Sequence, residues 1–316
     1  MRPRTAGVLA VCVAATLWGL DGVALTPRLY TLSIPLVVFL LHAVPFILMQ
    51  PLLGRSYAAL ARLSPRGWLS LVLVALTGGL VGTLAIVKAL FLVHFSQLSV
   101  VILLQKLQPV FAILLASIIL KERITPKFVA WAGVALAGAY ILAFGFGAPD
   151  FGASAEAAFY AVLAAAAFGA ATVFGKQLLG ELSFTDATFG RFGVTAGLAL
   201  LYLVLAGVGV PLGLVTPANW LVILIIAVTT GGGAIVLYYW GLRRITASVS
   251  TVCELCLPLS AVLFDYLING SVLRPFQWLG AGVLLAAIIR IAFLQAHEGS
   301  RGLRGASRRG ARHARV

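Results

Sequence analysis

Residues 97–125 read QLSVVILLQKLQPVFAILLASIILKERIT. The stretch is apolar for long enough to cross a bilayer as a helix, which takes about 20 residues. Gln105, Lys106 and Gln108 stand at its middle, and Pro109 follows them. Lys106 is about ten residues from either end, or about 15 Å deep at the rise of an α-helix, so it cannot easily snorkel to a face. A charge at the bilayer centre costs roughly 2.5–3.5 kcal/mol on insertion scales. Such a residue has to be paired, wet or in use. Pro109 removes a backbone hydrogen bond and leaves the carbonyl of Gln105 without its usual donor. The stretch closes on the charged turn Lys121-Glu122-Arg123.

The rest of the chain shares this character. Of 316 residues, 61% are hydrophobic and only 10% are charged, against about 25% charged in a soluble domain. The mean hydropathy is +1.07. Ten stretches can span a bilayer, at roughly 6–26, 33–53, 68–92, 97–120, 126–146, 156–178, 185–208, 218–242, 247–268 and 275–296. Short joins with turn residues separate them, among them Thr26-Pro27, Gly54-Arg55-Ser56, Pro149 and Asn269-Gly270. Met1-Arg2-Pro3-Arg4 before an apolar run resembles a signal peptide. That run holds Trp18, Gly19 and Asp21 and is needed as the first member of a repeat, so it is read as retained. Cys12, Cys253 and Cys256 all lie inside apolar stretches, which argues against a disulfide framework.

A net charge of +14 would suggest nucleic acid in a soluble protein. Here the basic residues act as an orientation signal. With a cytoplasmic N-terminus, the inner joins hold Arg2, Arg4, Arg55, Arg62, Arg66, Lys121, Arg123, Lys127, Lys176, Arg243 and Arg244. The outer joins hold only Arg28 and Arg274. Ten spans return the C-terminus to the same side. The expectation is a multi-pass protein of the plasma or inner membrane with both termini cytoplasmic and no nucleic-acid partner. Residues 299–316 read as a basic, disordered tail against anionic lipid of the cytoplasmic face.

The halves match at an offset of about 149 residues. Leu17-Trp18-Gly19 corresponds to Ala167-Phe168-Gly169, and Ala85-Ile86-Val87 to Ala234-Ile235-Val236. Ser99 pairs with Ser248, Pro109 with Pro258, and Gly133 with Gly282. Five spans is an odd number, so the second copy enters the membrane from the opposite side. The expected fold is an all-α integral membrane protein of ten transmembrane helices in two inverted five-helix repeats, 1–148 and 149–298. Sites in such folds sit near the midplane where the repeats meet, and alternating access follows from the symmetry.

Leu107-Gln108-Pro109-Val110-Phe111-Ala112, with Leu120-Lys121-Glu122-Arg123-Ile124-Thr125 after it, resembles the end of the first repeat in EamA-type members of the drug/metabolite transporter superfamily. Leu17-Trp18-Gly19 is similar to the start of that repeat, and the resemblance covers residues 6–296. The second copy departs from it, with Ile268-Asn269-Gly270-Ser271-Val272 in place of the Lys-Glu-Arg turn. That turn would lie outside, where basic residues are disfavoured. The resemblance implies export or exchange of small organic metabolites, amino acids among them.

Polar residues inside spans are the candidates for a site. Gln105, Lys106, Gln108 and Glu254 converge at mid-membrane, and Pro258 frees the carbonyl of Glu254 as Pro109 frees that of Gln105. The bland alternative is a Lys106–Glu254 ion pair that only orients helices. Lys88 either lines a cavity or snorkels outward, and Arg191 either lines it or snorkels inward. Asp21 lines the cavity or pairs with Lys88, or else only makes a helix-end contact. His42 is a proton-linked group or a hydrogen bond between helices. Trp18 is deep enough to line a cavity. Tyr238, Tyr239 and Trp240 lie near the inner face, where aromatic belts form, and Tyr239 is carried as a substrate contact. Glu254, a carboxyl withdrawn from bulk water, is the proton-coupling candidate.

Other signals are discounted. Cys253-Glu254-Leu255-Cys256 has no second cysteine pair and no nearby histidine, so neither a metal nor a cofactor is expected. Thr229-Thr230-Gly231-Gly232-Gly233 lacks the Gly-Lys-Ser/Thr of a P-loop, and no nucleophile motif suggests an enzyme. The reading is a secondary active transporter of small organic metabolites. Lys88, Lys106 and Arg191 favour amino acids or other carboxylate-bearing solutes. The alternatives are an organic-anion or sugar-phosphate exchanger, a passive channel, or a subunit of a larger complex. Gly133, Gly138, Gly280 and Gly282 can pack helices within one chain or between two copies in a homodimer.

Overall fold

A computed structural model describes residues 3–92, 101, 104–147, 155–270 and 274–313, without the side chains of Leu90, Phe91 and 295–313. The first part of the fourth expected span, with Ser99, and the Pro149 join lie outside these residues. Every described secondary element is a helix. Among the described residues nine helical stretches are long and apolar enough to cross a membrane, and the shorter apolar helix Gln108–Ile119 stands where the remaining span is expected. Their outward faces keep large apolar side chains uncovered, such as Leu52, Ile118 and Leu205 at 83%, 71% and 77% exposure. Such faces are stable against lipid and not against water.

The helices are α1 (Pro3–Leu20), α2 (Ile34–Leu53), α3 (Ser56–Ala61), α4 (Pro65–Val74), α5 (Gly82–Leu92), α6 (Gln108–Ile119) and α7 (Pro126–Phe144). They continue as α8 (Ala155–Leu178), α9 (Phe184–Leu205), α10 (Pro217–Ile226), α11 (Gly232–Leu242), α12 (Ala247–Cys253), α13 (Cys256–Asn269) and α14 (Pro275–His313). Several starts carry a Ser or Thr cap followed by proline. Ser64, Thr125 and Thr216 each accept a backbone N–H of the first turn, with Pro65, Pro126 and Pro217 next in sequence. The hydroxyl satisfies an orphan donor, and the proline lacks a donor where none is needed. Helix α14 is drawn as far as His313.

The largest helix contacts all join one half to the other: α14 with α7, α9 with α2, α5 and α6 with α8, and α1 with α11 and α13. Among the described residues every hydrophobic cluster draws on both halves. Helix α8 enters the centre through Ala157, Ala161, Ala164, Ala165, Ala167 and Ala171, all buried. Small side chains let backbones approach where no water drives association. Gly138 and Gly280 serve the same end inside the chain. A Cβ on Gly138 would stand 2.7 Å from the Leu284 nitrogen, and one on Gly280 would strike the backbone of Leu142. Gly133 and Gly282 face open space.

The face that carries the N-terminus is tied across the halves. Glu122 accepts the backbone N–H groups of Ala247 (2.7 Å) and Ser248 (3.0 Å) and the Ser248 hydroxyl (2.6 Å). It thereby caps α12 of the other half. Lys176 donates to the carbonyls of Leu242 (2.8 Å) and Arg243 (3.2 Å) at the end of α11. Glu181 accepts from the Ser64 hydroxyl at 2.8 Å, and Asp186 from that of Ser56 at 2.6 Å. Each charge sits at the helix end whose dipole it opposes or whose orphan groups it satisfies. Glu122→Ala is expected to lower stability by about 2 kcal/mol, the scale of hydrogen bonds to a charged group. Thermal unfolding in detergent reads this, and Glu122→Gln should recover part of the loss.

Candidate functional site

Two cavities, of about 340 and 300 Å³, adjoin inside the bundle and share Trp18, Asp21, Thr83, Arg191 and Ile235 in their walls. The first lies at two helix breaks. The chain leaves helix at Lys106–Leu107 before α6, and again at Glu254–Leu255 between α12 and α13. Both breaks stand just ahead of a proline, Pro109 or Pro258, as the missing donors require. The Glu254 carbonyl is not left free, because Leu257 donates to it at 3.0 Å in a tighter turn.

The breaks place polar side chains from both halves against one space. Gln105, Lys106 and Gln108 enter from the first half, and Thr172, Tyr238 and Glu254 from the second. Glu254 is the hub. One carboxylate oxygen accepts from Gln108 Nε2 at 2.7 Å. The other accepts from the Tyr238 hydroxyl at 2.8 Å, and from Thr172 and Ser250 at 3.4 Å. The bond from Gln108 crosses between the halves. Among the described residues Lys106 forms no ion pair with Glu254, whose oxygens already have four donors. The ammonium stands in the cavity wall instead.

The second cavity runs from this centre to the turn after α1, where Thr26, Leu29, Tyr30, Leu32 and Ile34 line it. His42 lies in its wall with Nδ1 2.8 Å from the Val38 carbonyl of its own helix, so it does not bridge two helices by that nitrogen. Its ring packs on Phe192 at 5.5 Å. Asp21 lines both cavities, with one oxygen accepting from Thr26 (2.8 Å) and the other from Thr230 (2.9 Å).

Arg191 does not snorkel to a face. Its guanidinium lines both cavities, donates to the Tyr239 hydroxyl at 3.3 Å, and fits beside Gly78, whose Cβ would come 3.2 Å from Nη2. Tyr239 is fully buried behind Arg191 and lines neither cavity, so it holds the arginine where direct contact with solute was expected. Lys88 is exposed and lines neither cavity. Its pairing with Asp21 is not formed, because Asp21 is taken by two threonines and a long flexible stem reaches polar surroundings at little cost.

Tyr238 is not part of an interfacial belt, as its place near the inner face suggests, but of the site. It is 3% exposed, donates to Glu254 and packs on Trp18 at 5.3 Å between ring centres. Trp240 fits the belt reading better, with Arg244 over its ring at 3.5 Å. Phe168, Thr172 and Thr83 line the first cavity and carry no signal as isolated residues. Phe168 was findable as the repeat partner of Trp18.

The profile of the EamA-like transporter family matches residues 5–144 and 155–293, one copy in each half. A riboflavin transporter, ImpX, of Fusobacterium nucleatum subsp. nucleatum (strain ATCC 23726 / VPI 4351) is 49% identical over 292 residues, which are 91% of this chain and 98% of that protein. A crystal structure of another protein superposes with a TM-score of 0.72 over 93% of this chain and 99% of that one, at 19% identity, a likeness of fold alone. Two matched copies, membrane-crossing helices and a shared central cavity leave one conclusion: the chain belongs to the EamA-like transporter family and is a multi-pass membrane transporter of small organic metabolites.

Proposed function

We propose that this protein carries riboflavin, or a flavin of closely similar chemistry, across the cell membrane by alternating access of its two inverted halves. The observation that carries the reading is the 49% identity to a riboflavin transporter along 98% of that protein's length. The cavity supports it. Trp18, Phe168 and Tyr238 offer flat aromatic surface beside hydrogen-bonding groups, which suits a planar heteroaromatic solute. Amino acids fit less well than the sequence suggested, because Lys88 lies outside the walls and Glu254 adds a negative group inside them.

The state described has its second cavity at the turn after α1 and its cross-half ties at the N-terminal face. With both termini cytoplasmic, this is the outward-directed state, and the ties around Glu122 and Glu181 are the contacts to be broken on inward opening. Glu254 is the group through which a proton is coupled.

The test is uptake of labelled riboflavin by cells that depend on external riboflavin and lack their own transporter. Expression of this chain should confer saturable uptake that excess unlabelled riboflavin abolishes and excess amino acids or sugar phosphates leave intact. Uptake that fails to saturate would return a channel. Absence of flavin uptake alongside competition among amino acids or organic anions would return the carboxylate reading that Lys106 and Arg191 favour.

A further inference from the structure

The two cavities differ in the hydrogen bonds they have left to give. In the first, Glu254 is engaged by Gln108, Tyr238, Thr172 and Ser250. Among the described residues the side chains of Gln105 and Lys106 form no hydrogen bond, yet both stand in its wall. An ammonium can only donate, with three N–H groups, and the glutamine amide adds two more. Against these five donors the same pair of side chains offers one acceptor, the Gln105 amide oxygen, so donors are in excess at that end of the site. In the second cavity Asp21 is held by Thr26 and Thr230 and His42 Nδ1 stands on the Val38 carbonyl, while the Arg191 guanidinium, which donates to Tyr239, stands with Trp18 where the two cavities meet. The rest of its wall is largely aliphatic and aromatic: Leu29, Leu32, Leu41, Phe192 and Ile226. Trp18 stands at the junction, in both walls.

A solute that fills both spaces therefore needs an acceptor-rich end and an apolar end. The flavin ring system has both, at opposite edges. Its pyrimidinedione edge carries two carbonyl oxygens and ring-nitrogen acceptors against one imide N–H, which the Gln105 amide oxygen can accept, and its far edge is a dimethylbenzene. We propose that the flavin binds with its pyrimidinedione edge against Gln105 and Lys106 at the helix break, and its dimethylbenzene end between Leu41 and Phe192 in the second cavity. Lys106 is then a specificity-determining residue that reads a ring carbonyl. The opposite orientation would put the dimethylbenzene against an ammonium and the carbonyls against leucines, leaving both sets of polar groups without partners. This inference rests on the flavin reading above.

The experiment measures binding by the purified protein, through quenching of flavin fluorescence, for riboflavin, its 2-thio and 4-thio analogues, and its 7,8-didemethyl analogue. Thiocarbonyl sulfur is a poor acceptor, so at least one thio analogue should bind wild type about tenfold more weakly, the scale of one hydrogen bond to a charged group. In Lys106→Met that thio penalty should vanish, while the demethylation penalty stays. In Leu41→Ala the demethylation penalty should shrink, while the thio penalty stays. Lys106→Arg keeps a donating cation and should keep the thio penalty, which separates loss of recognition from loss of folding. Thio penalties equal in wild type and Lys106→Met would overturn the orientation, as would thio penalties that respond to Leu41→Ala instead. If wild type binds no flavin at all, the flavin reading falls first and the orientation with it.

Discussion

Glutamine in place of Glu254 is expected to cut riboflavin uptake by about tenfold or more and to flatten its dependence on pH, while the protein still folds. A carboxylate only accepts, and here it receives Gln108 on one oxygen and Tyr238, Thr172 and Ser250 on the other. An amide keeps one oxygen for the Tyr238 side. Its NH₂ then faces Gln108, whose own amide can turn to present oxygen. The network closes again without an orphan, so stability should change little. What is lost is the charge, and with it the capacity to bind and release a proton. Glu254→Ala is different. It leaves the inward-facing donors of Gln108 and Tyr238 without their acceptor, at about 1–3 kcal/mol for each group that finds no substitute. The checks are uptake over an acidic-to-neutral pH series, thermal unfolding, and abundance in the membrane. Unchanged uptake and an unchanged pH profile in Glu254→Gln would leave Glu254 as a structural hub only. A collapse of stability in the glutamine variant would mean that the charge itself holds the helix breaks together.

Much of this site is legible in the sequence, and the parts that are not share one physical cause. Span positions, the repeat and the two breaks each have local signatures: apolar length, a constant offset, and a proline beside polar residues. Those signatures placed Gln105, Lys106, Gln108 and Glu254 at one depth, and the structure lines one cavity with all four. Depth along a helix is not direction around it. A soluble helix shows its buried face because the opposite face is polar. A helix between lipid and protein is apolar on both, so Lys88 and Arg191, each within two turns of an end, read alike. One proves exposed and the other lines both cavities. The Tyr238–Glu254 bond was hidden for the same reason, since a belt tyrosine and a buried one differ only in azimuth. The repeat held a further clue. His42 and Arg191 are 149 residues apart, the spacing that relates Gln105 to Glu254, and both line the second cavity. Symmetry between halves supplies direction where a single helix cannot.

Alanine at Gly19 is expected to destabilise the protein by about 2–3 kcal/mol, the upper part of the range for overpacking, and to abolish most uptake. Gly19 is buried where α1 lies on α13. A Cβ there would stand 2.8 Å from the Leu257 carbonyl oxygen and 2.9 Å from the Ala261 nitrogen, and would strike the Ser260 hydroxyl. Two of these are backbone atoms in the first turns after the Glu254 break, so neither can swing aside as a side chain would. The other half repeats the arrangement. A Cβ on Gly169 would meet the Ala112 nitrogen at 2.9 Å and the Gln108 carbonyl at 3.0 Å, just after the Lys106 break. In each half the first helix thus presents an aromatic residue to the cavity and then a glycine to the broken helix of the other half. Adding a methyl at Gly19 pushes α1 off α13 and moves Trp18 relative to Glu254, which is why uptake should fall further than stability alone predicts. Gly22→Ala is the control: it lies one turn on, and its Cβ would meet nothing within 4 Å. Thermal unfolding and riboflavin uptake should therefore separate Gly19→Ala from Gly22→Ala, and Gly169→Ala should follow Gly19→Ala. If Gly19→Ala unfolds and transports like Gly22→Ala, α1 does not need this close approach and the aromatic at Trp18 is set by other contacts. If Gly19→Ala loses uptake at full stability, the contact matters for the motion between states, where α1 has to slide over the break without a methyl to catch it.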